Sequence, residues 1–111
     1  MNVNYKWKIN TLFVIPQQDD KQDIVAKVSW DLTGTVDDAE YGLNGIEELL
    51  FNNDQFIPFE NLMENQVIGW IQNSLGQEKI ENLKLTIFNQ LKSKILQPIE
   101  VVYKPAPWIK E

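Results

Sequence analysis

The stretch Asn61 to Leu75, NLMENQVIGWIQNSL, constrains this chain most, because a helix start, an apolar stripe and a helix stop fall within one short span. Val67, Ile71 and Leu75 recur every four residues, with Ile68 and Trp70 beside them, so that about a third of a helix surface is apolar and must be covered by another element. Asn61 and Glu64 have the spacing of a capping pair, Pro58 lies just upstream, and Gly76 suits the left-handed residue that ends a helix. Gly69, in the middle, costs about 1 kcal/mol relative to alanine. Its expected return is the close approach of a strand backbone, so a Gly69→Leu change is expected to abolish folding.

The cover for that helix comes from the N-terminal half. Val3, Tyr5, Trp7 and Ile9 alternate with Asn4, Lys6, Lys8 and Asn10, the period of a strand with one buried face. The alternation slips at Leu12 to Ile15, which predicts a bulge near Asn10-Thr11 or a segment covered on both faces, ending at Pro16. Gln17 to Gln22, QQDDKQ, reads as a mobile polar hairpin loop. Ile24, Ala26, Val28, Trp30 and Leu32 then point one way, with Lys27, Ser29, Asp31 and Thr33 opposite. Asp37-Asp38 signals a turn into a third strand that carries Ala39, Tyr41 and Leu43 on one face. The apolar face of this meander holds Trp7, Trp30 and Tyr41, and it needs a covering layer.

Between residues 44 and 60 the pattern weakens. Ile46, Leu49, Leu50 and Phe51 suggest a short fourth strand before the break at Asn52-Asn53-Asp54, and Phe56, Ile57 and Phe59 around Pro58 suggest an extended segment laid over the sheet. A second helix follows from Gln77 to about Leu96, with Ile80, Leu83, Ile87, Leu91 and Ile95 in its seam and Phe88 broadening it. The short Gly76-Gln77 connection makes the helices an angled pair or a hairpin. Prolines 98, 105 and 107 keep the tail extended, and Val101 to Tyr103 could add an edge strand. The expectation is one α+β domain over residues 1–111: a three- to four-stranded antiparallel sheet (strands about 3–15, 23–36 and 39–46) covered on one face by helices at about 62–75 and 77–96, with a Pro-rich tail at 98–111.

Composition bounds the chemistry. Cysteine and histidine are both absent, which removes thiolate nucleophiles, the usual zinc sites and the side chain that most often moves protons near neutral pH. All basic residues are lysine, and the formal net charge is -6. Nucleic acid is a poor partner for such a surface, because phosphate neutralisation and the guanidinium fork are both lacking. No stretch is long and apolar enough for a membrane span, and no cleavable leader is recognisable. The acidic groups Asp19, Asp20 and Asp23, and Asp37, Asp38 and Glu40, lack the spacing of a calcium loop and read as solvated turns. No carboxylate has the apolar setting that glycoside hydrolysis requires. Gly34, Gly42 and Gly45 form no phosphate-binding pattern and read as turn and bulge glycines. The chain is therefore expected to be no enzyme, with no cofactor and no metal.

Four tryptophans are many for 111 residues. Trp7, Trp30 and Trp70 read as core, each with an acceptor for its indole N–H. Trp108 differs, because it ends the stiff run Lys104, Pro105, Ala106, Pro107. That run is expected to fold back on the domain, and the alternative is a docking peptide, which makes Lys104, Pro105, Pro107 and Trp108 the candidate partner-docking residues.

The strand WDLTGTVDD, the segment FIPFENLMENQVIGWIQNSLG and the tail KPAPWIK together resemble a family of small uncharacterised proteins of tailed marine phages, cyanophage-like in type. The run Gln66 to Trp70, QVIGW, is the most specific part, and Leu43 to Asp54 departs by being longer and more apolar. The resemblance implies no activity and brings over no functional residue. Joined to the missing catalytic chemistries, it leads to the expectation of a non-enzymatic phage accessory protein that acts through protein contacts, as a virion-associated component or a self-associating adaptor. The alternative is an acidic host-takeover or regulatory binder of one bacterial protein. The expected location is the cytoplasm of an infected cell or the virion.

Overall fold

The computed structural model describes residues 1–49, 56–96 and 102–108. Three antiparallel strands come first, β1 (Asn4–Gln18), β2 (Lys21–Val36) and β3 (Ala39–Glu48), hydrogen-bonded in the order β1-β2-β3. A 3-10 turn (Phe59–Asn61), α1 (Glu64–Leu75) and α2 (Gln77–Ile95) follow. The expected α+β class, the meander and the pair of C-terminal helices are all present.

Both hairpins close on the same chemistry. Gln18 pairs with Lys21 and Val36 with Ala39, so each connection is a two-residue Asp-Asp turn, with the first aspartate left-handed (Asp19 φ 57°, Asp37 φ 51°). Aspartate tolerates that conformation better than most residues. The stretch Gln17 to Gln22 is therefore a tight turn within paired strands rather than a loop. Pro16 does not end β1, because β1 is an edge strand, where a missing N–H need not break the ladder. The expected bulge is present: Ile9 pairs with Trp30 and Thr11 with Ser29, leaving Asn10 extra. A second register shift leaves Ala26 of β2 extra, between the pairs Phe13–Lys27 and Val14–Val25.

One face of the sheet is covered. Val28, Trp30 and Leu32 of β2 join Val67 and Ile71 of α1 and Ile87 and Leu91 of α2 in a single buried cluster, with Trp7, Tyr41 and Leu43 packed against it. Trp7 and Trp30 meet with ring centroids 5.4 Å apart and planes tilted by 58°, the offset geometry that aromatic quadrupoles favour. The Trp30 indole N–H is buried and finds no acceptor among the described residues, where each core indole was expected to have one.

Close approach to the sheet is made at Gly34, not at Gly69. A Cβ on Gly34 would stand 3.0 Å from Val3 Cγ1, 3.3 Å from Leu91 Cδ1 and still nearer to Ile87 Cγ2, whereas a Cβ on Gly69 would meet nothing within 4 Å. Gly34 lies in the cross-strand row Tyr5–Gly34–Tyr41, and α2 seats Ile87 in the gap. The flanking tyrosines hold α2 from above: Tyr5 Oη donates to the Lys84 carbonyl at 3.2 Å, and the Lys84 and Lys94 ammonium groups lie 5.3 and 5.6 Å from the Tyr5 and Tyr41 ring centres. Gly45 plays a similar part for Trp30, whose Cζ2 would stand 2.6 Å from an added Cβ. Gly34 and Gly45 are thus mid-strand vacancies rather than turn or bulge residues.

Two further expectations are corrected by the local backbone. Asn61 is not the helix cap, because Phe59 to Asn61 form the 3-10 turn and α1 starts at Glu64. The reciprocal contact belongs to Gln66, whose Oε1 accepts the Met63 N–H at 2.9 Å. Glu64 instead accepts the Ile9 N–H of β1 at 3.0 Å, and Ser74 at the other end of α1 donates to the Glu47 carboxylate of β3. α1 therefore crosses the sheet from one edge strand to the other. No separate fourth strand occurs among the described residues: Ile46 to Glu48 continue β3, and Leu50 to Gln55 lie outside them. Gly76 ends α1 and begins α2 at φ 85° and ψ 158°, a conformation that only glycine adopts readily.

Candidate functional site

The sheet stops at the Val36–Ala39 pair, and the end of α2 lies beside it. Lys94 Nζ donates to the Glu40 carbonyl at 2.6 Å, beside the β2–β3 turn. Ile95 is shared by two open grooves at this point, and Leu96 lines one of them. One, of about 670 Å³, is lined by Met1, Val36, Phe88, Ile95 and Leu96, with Asp37 and Lys92 at its rim. The other, of about 600 Å³, adjoins it through Val36, Asp37 and Ile95 and adds Asp38, Glu40 and Lys94. Apolar atoms on the floor and carboxylates along one side suit an extended peptide with apolar side chains and a positive charge.

The tail lies off the domain. Tyr103 is 91 % exposed and Trp108 81 % exposed, with Val102 also exposed. The expected folding back of Trp108 is not seen, and Val102 and Tyr103 join no strand; Val101 lies outside the described residues. Lys104, Pro105 and Pro107 are exposed as well. Proline removes the backbone donors and holds φ near one value, so this segment has few ways to collapse onto the body.

The other candidates separate cleanly. At the far hairpin tip, Lys21 pairs with Asp20 at 3.2 Å and reaches over the Phe56 ring at 5.5 Å. The Lys21 hydrogen bond and charge, together with a backbone hydrogen bond, hold the Asp20 carboxyl below its usual pKa. Among the described residues no three acidic side chains converge as metal ligands would, and no helix is long and apolar enough to cross a membrane. Sequence patterns hid the groove because Ile95 and Phe88 fit the core stripe of α2. The available signal was positional, since the last stripe residue of a helix is the one most readily left uncovered.

The molecule is thus an α+β meander capped by two helices, with a groove beside the β2–β3 turn and exposed aromatic residues on its tail. A family profile described as "Domain of unknown function (DUF7936)" matches residues 2–108, and the chain belongs to that family. The matched stretch runs through the tail to Trp108. No curated protein and no solved structure matches.

Proposed function

We propose that this chain is a non-enzymatic accessory protein of phage type that works by docking its Pro-Trp tail on a protein surface. One observation carries the reading: Val102, Tyr103 and Trp108 stand exposed on a proline-stiffened segment. Aromatic side chains on a proline-restrained segment lose little entropy on binding and offer large contact areas. The absence of cysteine, histidine and arginine from the sequence supports a contact function over a catalytic one, and the phage resemblance supports a virion component or a self-associating adaptor as its setting.

The test compares the full chain with its Trp108→Ala variant. Light scattering after size exclusion reads self-association, and mass spectrometry of purified particles reads virion incorporation. Loss of a contact in the variant, with unchanged thermal stability, is the expected result. Identical behaviour of the two chains in both assays would refute the tail as the contact element.

A further inference from the structure

We infer that two copies of this chain exchange tails, the Val102–Trp108 segment of each docking in the other's groove between the β2–β3 turn and the end of α2. The inference rests on the tail-docking reading above and deepens it by naming the partner as a second copy and the receiving surface as its groove.

The two surfaces match in chemistry. The groove has an apolar floor of Val36, Phe88, Ile95 and Leu96, and the tail offers Val102, Tyr103 and Trp108. The two grooves carry Asp37, Asp38 and Glu40 against Lys92 and Lys94; Lys94 is engaged by the Glu40 carbonyl, and the two aspartates make no ion pair among the described residues. Lys104 is the one charge on the described tail, and it is opposite in sign. Donor and acceptor are near one another in sequence, since Leu96, itself a groove residue, precedes Val102 by only six positions. In the single chain Tyr103 and Trp108 remain exposed and line neither groove, which leaves the groove open to a neighbour's tail. A two-fold axis makes both exchanges at once, the self-complementary arrangement of the commonest protein dimers. A buried Tyr or Trp covers about 150–250 Å². Two tails, together with the groove surface they cover, therefore bury on the order of 1,600 Å², the size of a stable specific interface.

Sedimentation velocity on the full chain, from low micromolar concentration upward, measures the association. Two variants separate its halves: Trp108→Ala disables the tail, and Leu96→Lys with Asp38→Lys disables the groove. All these positions are exposed, and matched melting temperatures check that the fold survives. Each variant alone is expected to weaken dimerisation at least about thirtyfold, the effect of removing a strong anchor. An equimolar mixture of the two is expected to form mixed pairs more tightly than either variant pairs with itself, because one tail and one groove remain intact. A dimer that survives Trp108→Ala, or a mixture no tighter than its components, overturns the exchange. A full chain that stays single at high concentration also overturns it, whether Trp108 is then free or docked on its own groove. If that single chain still loses a foreign protein contact on Trp108→Ala, the tail-docking reading stands and only the second copy is removed.

Discussion

Changing Gly69 to alanine and Gly34 to alanine is the same chemical operation at two sites, and the structure predicts opposite signs. In α1, a Cβ at Gly69 meets nothing within 4 Å, so the change gains helix propensity of about 0.8–1 kcal/mol without a steric cost. For a chain of this length that raises the melting temperature by about 4 °C. At Gly34 the new Cβ would enter the space held by Ile87, with Leu91 and Val3 close behind. Ile87 and Leu91 are completely buried and have little room to retreat, so overpacking costs about 1–3 kcal/mol. Both changes restrict the unfolded chain to a similar extent, and that contribution largely cancels when the variants are compared. The expected gap between them is about 2–4 kcal/mol, read as a difference in urea midpoint at unchanged slope. Gly69→Ala lowering stability would restore the idea of a strand backbone against α1. Gly34→Ala raising stability would refute the seat proposed for α2.

Three further outcomes follow from individual contacts. The Asp20 carboxyl should titrate below a free aspartate when followed by NMR, and Lys21→Met should move it upward. Because its pKa is depressed in the folded chain, any stability it adds is present above the unfolded pKa and fades as pH falls through the folded value. Glu64→Ala removes the acceptor of the Ile9 N–H, and the Ile9 amide should exchange with solvent about tenfold faster, corresponding to a hydrogen bond worth about 1.4 kcal/mol. Trp108, the most exposed indole, should account for most acrylamide quenching of the native chain at low concentration, so Trp108→Phe should lower the quenching constant clearly; an unchanged constant would contradict the exposure of Trp108.

The strands were legible because alternation and burial express the same geometry: Val28, Trp30 and Leu32 point inward wherever the pairing register is set by one covered face. The helices were legible from their stripes, and Gly76 from its place after one. What a local pattern could not carry was any contact made across the fold. Glu64 sits three residues after Asn61, the capping distance, yet its carboxylate goes to Ile9 of β1, while Gln66 does the capping from a start two residues later. Gly34 and Gly69 look alike in sequence, since a missing side chain does not reveal what fills the space. The hairpin at Asp19-Asp20 was overread as a loop because its polar neighbours hide that the ladder continues to Gln18 and Lys21. For the tail, aromatic content suggested burial in the same chain, and only the structure shows it unpacked.

The two Asp-Asp turns distinguish the two ends of the molecule and lead to a last prediction. At the β1–β2 turn the negative charge is answered within the chain, by Lys21, which also spans to Phe56. At the β2–β3 turn Lys94 is engaged by the Glu40 carbonyl and the Tyr41 ring, and Asp37 and Asp38 are exposed and in no ion pair among the described residues. If Lys104 of a second copy answers them, the tail contact has an electrostatic part as well as an apolar one, and salt acts on the two in opposite directions. Raising ionic strength from about 0.1 M to 1 M shortens the screening length from about 10 Å to about 3 Å, which weakens the Lys104 contribution. Apolar burial by Tyr103 and Trp108 is strengthened by an excluded salt such as sulfate. Dimer affinity should therefore fall with sodium chloride in the native chain, and in Lys104→Met it should be weaker at low salt and nearly insensitive to sodium chloride. A Lys104→Met variant with the native chain's salt slope would show that the aspartate pair takes no part in holding the tail.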